Sequence, residues 1–251
     1  MNKIVLLTGG SRGLGKNAAL RLAEKGFDVI LTYQTKEEEA NSVIKELESA
    51  GSKAASIQLD MSDISSLDNF VENIKQLLQD KWNTEKLDVL VNNAGIGATI
   101  PFAESTEADF DKLMNIHFKG VYFLTQKILT ILNDGGKIIN VSSGSTRSAV
   151  PGYSIYASMK GAIETFTKYL AKELGPRRIT ANVIAPGPVE TDFNNAAIRN
   201  NPQMKGYLSS ITSLGRVGGP EDIGGVIAFL CSDDAGWING QRIEASGGLT
   251  L

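Results

Sequence analysis

Ile4-Val5-Leu6-Leu7-Thr8-Gly9-Gly10-Ser11-Arg12-Gly13-Leu14-Gly15 is the stretch whose reading decides the fold. Four consecutive apolar residues read as a short strand buried on both faces. The glycines then break it. Asn17–Lys25 resumes with apolar residues at helical spacing and stops at Gly26. A glycine-rich turn between a strand and a helix lets the backbone approach a pyrophosphate, and the helix N-terminus offers free N–H groups and a favourable dipole. An ordinary strand-to-helix turn reads much the same. The spacing, Gly9-x-x-x-Gly13-x-Gly15, also departs from the G-x-G-x-x-G fingerprint.

The same alternation runs outward along the chain. Strand-length apolar runs recur at Val29–Thr32, Ala54–Leu59, Val89–Val91, Lys137–Val141, Thr180–Ile184 and Arg242–Glu244. Helical patterns fall between most of them, at Lys36–Ala50, Ser65–Gln79, Phe110–Leu132 and Tyr153–Leu174. Apolar strands separated by helices predict an α/β fold, a doubly wound (Rossmann-type) parallel sheet with helices on both faces. No linker, repeat or composition shift divides the chain, so residues 1–251 are expected to form a single domain.

Composition narrows the function classes. The net charge is −3, so no broad basic surface is expected to attract nucleic acid or acidic membranes. No apolar run approaches the roughly 20 residues of a membrane span, and no secretory segment is expected ahead of Ile4. The single cysteine, Cys231, excludes an internal disulfide framework and fits a reducing, cytoplasmic compartment. The single histidine, His117, argues against a metal site.

Chemistry concentrates in the second half. Tyr156 and Lys160 are i and i+4 on one expected helix and share a face. A phenol near pKa 10 is a poor base at neutral pH, and a nearby ammonium favours the phenolate. That moves it toward the range where general acid–base work is efficient. Ser143 ends the strand before this helix and can donate a hydrogen bond to a substrate oxygen. Ser142 alternates to the other side of the strand. Asn115 sits inside the long helix, where asparagine is a poor residue. His117, two residues on, faces elsewhere and reads as structural.

Thr8-Gly9-x-x-x-Gly13-x-Gly15, Asp60, Asn92-Asn93-Ala94-Gly95, Asn115, Ser143, Tyr156-x-x-x-Lys160 and Pro186-Gly187, in this order and spacing, resemble the short-chain dehydrogenase/reductase family. The resemblance implies a catalytic group of Asn115, Ser143, Tyr156 and Lys160, with Asn115 disturbing its helix so that a water links it to Lys160. It implies nicotinamide dinucleotide contacts from Thr8, Gly9, Ser11, Arg12, Gly13, Leu14, Gly15, Tyr33, Gln34, Asp60, Met61, Asn93, Ala94, Gly95, Tyr156, Lys160, Pro186, Gly187, Val189 and Thr191. Asn92 would hold the sheet centre. Two departures stand out: Ser246 replaces the Asp or Asn that many relatives place before the two C-terminal glycines, and Gln34 stands where NAD-preferring members carry an acid.

Gln34 carries no charge to repel a phosphate, and Arg12 suits one, so NADP(H) is expected over NAD(H). The run Glu37-Glu38-Glu39 is a counter-signal that reads as the solvated first turn of a helix. Asp192–Arg216 is the longest irregular stretch and is expected to form a substrate lid. Phe193, Ile198, Met204, Tyr207 and Leu208, with Val150, Pro151, Tyr153 and Pro188, suggest an apolar pocket for a small ketone or 3-oxoacyl compound. A 3-oxoacyl-carrier-protein reductase or an NAD(H)-dependent sugar or alcohol dehydrogenase is the alternative, and Arg177-Arg178 is a small basic patch for an acidic carrier. Apolar residues spread around the two long helices predict contact with another subunit. The resemblance implies a symmetric dimer or tetramer using these helices, and a homotetramer with two-fold axes is expected.

Overall fold

β1 (Ile4–Leu7) lies at the centre of the molecule with all four side chains buried, as its uninterrupted apolar run requires. A computed structural model describes residues 2–251. Around β1 are β2 (Asp28–Tyr33), β3 (Ala54–Gln58), β4 (Leu87–Asn92), β5 (Leu132–Val141), β6 (Thr180–Pro186) and β7 (Arg242–Ala245). They form one seven-stranded sheet in the order β3-β2-β1-β4-β5-β6-β7, parallel throughout. The fold is a single-domain Rossmann-type α/β sheet.

Helices cover both faces. On one side α1 (Gly13–Glu24), α2 (Glu37–Ser49) and α9 (Glu221–Cys231) bury Ala18, Leu22, Val43, Leu47, Ile223 and Ile227 against the sheet. On the other, α3 (Leu67–Trp82), α5 (Gly120–Ile128) and α6 (Ser154–Glu173) enclose a second core around Leu6, Ile30, Leu90 and Ile138, and α4 (Glu107–Met114) packs its Leu113 on Ile155 and Met159 of α6. The three glutamates do open α2, where acids favour a helix start.

Buried polar groups join the layers. Asn92 Nδ2 at the end of β4 donates to Asn140 Oδ1 on β5 at 2.8 Å and to Thr125 Oγ1 on α5 at 3.0 Å. Asn140 Nδ2 donates in turn to Thr167 Oγ1 on α6 at 2.8 Å. This ladder fixes α6 against β5. Asp28, 3% exposed, accepts from Trp82 Nε1 at 2.8 Å and from the Lys53 amide at 3.0 Å, tying α3 to the β2–β3 edge.

Three sequence expectations need correction. The helix expected over 110–132 is broken into α4, a π-turn at Asn115–Lys119, and α5, which ends at Ile128. Leu132 belongs to β5 and pairs with Leu87; the apolar run Leu129–Leu132 continues a helical pattern that sheet pairing overrides. The 192–216 stretch is not wholly irregular: it holds the single turn α7 (Phe193–Ala196) and α8 (Pro202–Ser210), capped by Asn201 Oδ1 accepting from the Met204 amide at 2.9 Å. Finally, α9 was not anticipated, although Pro220, Glu221 and Asp222 ahead of Ile223, Val226, Ile227 and Leu230 give its start and its apolar face.

Gly15 sets how closely α1 approaches the β1 turn. A methyl there would lie 2.1 Å from the Gly9 carbonyl oxygen and 2.7 Å from Asn93 Nδ2. Gly15→Ala is therefore expected to lose about 1–3 kcal/mol in urea unfolding, since neither backbone can yield without shifting the helix. An unchanged urea midpoint would show that α1 is free to move outward.

Candidate active site

The strand order reverses between β1 and β4, and a cleft of about 580 Å³ opens there at the C-terminal ends of the strands. Ligands of open α/β sheets bind at this crevice, because neighbouring loops diverge to opposite faces. One wall is the glycine turn, with Gly9, Ser11, Arg12, Gly13, Leu14 and Gly15. Arg12 precedes α1 without a side-chain cap, and the first turn of the helix holds no acid. Its free N–H groups thus open on the cleft with an uncompensated positive dipole, which fits a diphosphate. A methyl at Gly13 would lie 3.7 Å from the Thr191 side chain, so these two residues face each other across this end of the cleft.

The adenosine end is lined by Tyr33, Gln34, Asp60 and Met61. Gln34 Nε2 donates to Asp60 Oδ2 at 3.0 Å. Asp60 also accepts from the Ser62 amide and hydroxyl, and these bonds hold its carboxyl below the usual carboxylate range. Arg12 makes no ion pair or side-chain hydrogen bond among the described residues, which leaves its guanidinium available to an anion. Lys36, by contrast, is 3.5 Å from Glu39.

Asn93, Ala94, Gly95, Pro186, Gly187, Val189 and Thr191 complete the cleft, and Ser143, Tyr156 and Lys160 meet at its inner end. Two expected site residues do not line it. Thr8 is fully buried: its hydroxyl accepts from the Asn93 and Ala94 amides, each at 3.0 Å, so it clamps the β4 turn from behind. Asn115 also lies off the cleft wall. Its carbonyl accepts from the Gly120 amide, an i+5 bond that makes the π-turn.

Lys160 is 5% exposed and has no carboxylate partner; its Nζ donates to the Val141 carbonyl at 2.8 Å. Burial alone holds its pKa down to about 8. The ammonium lies 5.6 Å from the Tyr156 ring centroid. Burial pushes the Tyr156 phenol above its ordinary value, the Ser143 hydroxyl pulls it back by hydrogen bonding, and Tyr153 adds a smaller rise. Without a ligand, then, Tyr156 is a neutral proton donor.

His117 is 1% exposed and packs edge-on to Tyr156, with ring centroids 5.1 Å apart. Its Nε2 is 2.8 Å from the Ile96 carbonyl and 3.3 Å from the Ile96 amide, and the ring tautomer sets which of the two it bonds. Burial, aided by repulsion from Lys160, lowers its pKa to about 3, so it stays neutral. Three groups escaped the sequence reading. Glu164, one turn beyond Lys160, accepts from Ser142 Oγ at 2.7 Å, Thr146 Oγ1 at 2.8 Å and Arg242 Nε at 2.8 Å. The i+4 spacing 156-160-164 signals it. Asn194 Nδ2 reaches Thr99 Oγ1 at 3.1 Å and Tyr153 Oη at 3.3 Å, linking α7 to the cleft rim; no sequence pattern announces it. Ser145 sits beside Ser143.

A family model described as enoyl-(acyl carrier protein) reductase matches residues 9–250. An uncharacterised oxidoreductase of Methylorubrum extorquens is 38% identical, over 98% of this chain and 97% of its own. The hydroxynaphthalene reductase-like protein Arp2 of Metarhizium brunneum is 37% identical, over 98% of this chain and 94% of its own. Among solved structures, the angucycline C-6 ketoreductase LanV with bound NADP superposes with a TM-score of 0.94 at 38% identity, covering 99% of this chain and 96% of that one. LugOII, which catalyses keto-reduction at C1 during lugdunomycin biosynthesis, gives 0.94 at 33% identity, covering 99% and 98%. Likeness of this depth along nearly the whole length leaves one assignment: the chain belongs to the short-chain dehydrogenase/reductase family of oxidoreductases.

Proposed function

We propose that this carbonyl reductase-type oxidoreductase uses NADPH to reduce an uncharged, ring-bearing ketone to a secondary alcohol. The observation that carries the reading is the convergence of Ser143, Tyr156 and Lys160 at the inner end of a cleft whose outer walls are apolar. The cofactor supplies the hydride when bound. Tyr156 gives its proton to the carbonyl oxygen, Ser143 donates a hydrogen bond to the same oxygen, and Lys160 stabilises the phenolate left behind. Asn115 acts at a distance, through the π-turn that its carbonyl closes by accepting from the Gly120 amide. Thr8 acts by holding Asn93 and Ala94 in place.

The substrate class rests on the walls. Val150, Tyr153, Phe193, Met204, Tyr207 and Leu208 line the outer cleft. Lid cations are paired: Arg199 with Asp192 inside the lid, and Lys205 with Glu190 just ahead of it at 2.5 Å. Residues 192–216 form the lid, with α8 as its rigid part. A carrier-borne 3-oxoacyl group fits less well. Arg177 is held by Asp134 at 2.7 Å and by the Leu129 and Leu132 carbonyls, and it precedes β6, at the N-terminal end of the strands and so opposite the cleft. The names of the relatives, a hydroxynaphthalene reductase-like protein and an angucycline ketoreductase, also support a fused-ring ketone.

The first test is a reduction screen with 2-tetralone, acetoacetyl-coenzyme A and a hexose, each with both cofactors. 2-Tetralone with NADPH is expected to turn over fastest, and Tyr156→Phe to lower kcat at least roughly 10²-fold with folding intact. Near-normal kcat in that variant would remove Tyr156 from its role.

Cofactor choice rests on the unpaired Arg12 and the uncharged Gln34. Gln34→Asp places a second carboxylate beside Asp60 and should shift kcat/KM from NADPH toward NADH. A wild-type preference for NADH would overturn the reading.

Assembly rests on apolar surface left uncovered. Tyr122 stacks on Phe166 at 4.7 Å, and Phe110, Tyr122 and Tyr169 are exposed on α4, α5 and α6. We place the tetramer's main two-fold contact there and its site of action in the cytoplasm, where the single buried Cys231 stays reduced. Light scattering at micromolar concentration should give about four times the 26.9 kDa chain mass. A monomer mass would defeat this, and a dimer would leave only the helix contact.

A further inference from the structure

Ser143 has a hydroxyl neighbour that the catalytic reading does not use. Ser145 follows it in the 3-10 turn Gly144–Thr146 and lines the same cleft. Two bonds converge on Ser143 Oγ from this one residue. The Ser145 amide donates at 3.2 Å, and the Ser145 hydroxyl donates at 2.9 Å. A serine hydroxyl has one proton and two lone pairs. With both lone pairs occupied, Ser143 has only its proton left to use. That proton is free for an acceptor in the cleft; the Ser143 hydroxyl also lowers the pKa of the Tyr156 phenol.

The turn is built to hold this arrangement. Thr146 Oγ1 lies 2.9 Å from the Ser143 carbonyl and 2.8 Å from Glu164 Oε1. Arg242 Nη2 reaches the Ser143 carbonyl at 3.4 Å and Thr146 Oγ1 at 3.1 Å. The backbone around Ser143 is thereby fixed without any of these groups touching its hydroxyl. Among the described residues, both donors to that hydroxyl come from Ser145.

We propose that Ser145 is a positioning residue for the reduction: by filling both acceptor sites of Ser143 it commits that hydroxyl to donation, and it strengthens the donor. Hydrogen bonds in series polarise one another, so a hydroxyl that accepts two is a better donor than one that accepts none. The substrate oxygen gathers negative charge as hydride arrives, and a polarised donor stabilises that charge more than the ground-state carbonyl. Ser145 thus acts on kcat through Ser143. The inference rests on Ser143 and Tyr156 serving as donor and acid.

The experiment uses the full chain with NADPH and the ketone turned over fastest in the screen. Ser145→Ala removes the Oγ–H bond and keeps the amide bond, so the turn survives. It is expected to lower kcat about three- to tenfold, the worth of one neutral hydrogen bond, with KM and NADPH affinity unchanged. The apparent pKa of alcohol oxidation should rise, because a weaker Ser143 donor stabilises the Tyr156 phenolate less. Ser145→Thr restores a hydroxyl and should restore kcat. In a Ser143→Ala background, Ser145→Ala should cost less than about twofold, since its target is gone. A Ser145→Ala enzyme with wild-type kcat and pH profile overturns the inference. So does an equal loss in both backgrounds, which would mark an independent structural effect. Retained activity in Ser143→Ala or Tyr156→Phe strikes the catalytic reading itself, and is distinguishable from both.

Discussion

A parallel sheet covered on both faces has nowhere to act except at its edges. β1, β2, β4 and β6 are buried almost throughout, and their ladders consume the backbone groups between the strand ends. Only the loops beyond the C-terminal ends carry free amides and side chains that can face a ligand. The reversal of strand order between β1 and β4 separates two of those loops and leaves a crevice. Everything at the site follows from this constraint. The glycine turn must be small enough for α1 to pass close above β1. Thr8 must be buried so that the β4 loop can lie against it. α6 must be locked to β5 by the Asn92–Asn140–Thr167 ladder, because it brings Tyr156 and Lys160 to Ser143.

Burial then sets the protonation states. Lys160 loses water without gaining a carboxylate, and its pKa falls to about 8. Tyr156 loses water too, and its phenol is harder to ionise. His117 packs edge-on to Tyr156 and is kept neutral, with its pKa near 3. Protonating it would place a second buried cation beside Lys160. The net result is one cation, one neutral acid and one neutral imidazole in a desolvated corner. That is the ground state that carbonyl reduction needs, since the acid must hold its proton until the oxygen becomes basic. The His117 Nε2 also stays within hydrogen-bond distance of the Ile96 backbone, which holds the ring against the cleft floor beside Gly95.

The sequence made the sheet legible because each strand is a short apolar run closed by glycine or a polar turn. The seven expected strands all occur, with ends shifted by a few residues. It failed where two patterns overlap. Leu129–Leu132 fits a helix face as well as a strand start, and only pairing with Leu87 decides. α9 was overlooked because Gly224 and Gly225 weaken its helical signal. Yet Gly224 lets α9 cross α1 closely: a methyl there would lie 3.0 Å from the Ala18 amide nitrogen. At the site, motif spacing located most of the cleft lining. It could not show that Thr8 and Asn115 work from behind the wall, because a buried hydroxyl and a carbonyl in a π-turn leave no mark on residue type. It also could not show Glu164 or Ser145, whose roles depend on which partner sits opposite.

Those partners account for the unusual C-terminal strand. Arg147 forms a forked pair with Glu244 at 2.7 and 2.8 Å, and Arg242 bridges Glu244 to Glu164. The chain Arg147–Glu244–Arg242–Glu164 therefore runs from the loop after Ser143, across β7, and back to the helix of Tyr156. Charges alternate along it, so its two inner members, Glu244 and Arg242, each have two neighbours of opposite charge; Glu244 is held down to about 2. Ser246 donates to Glu244 Oε1 at 2.8 Å. An aspartate at 246 would set a second carboxylate against Glu244 and compete for Arg147. A hydroxyl adds a donor instead. The departure at Ser246 and the acid at Glu244 are thus one feature: a neutral donor stands where an acid would repel, because β7 already carries the acid that anchors the Ser143 loop.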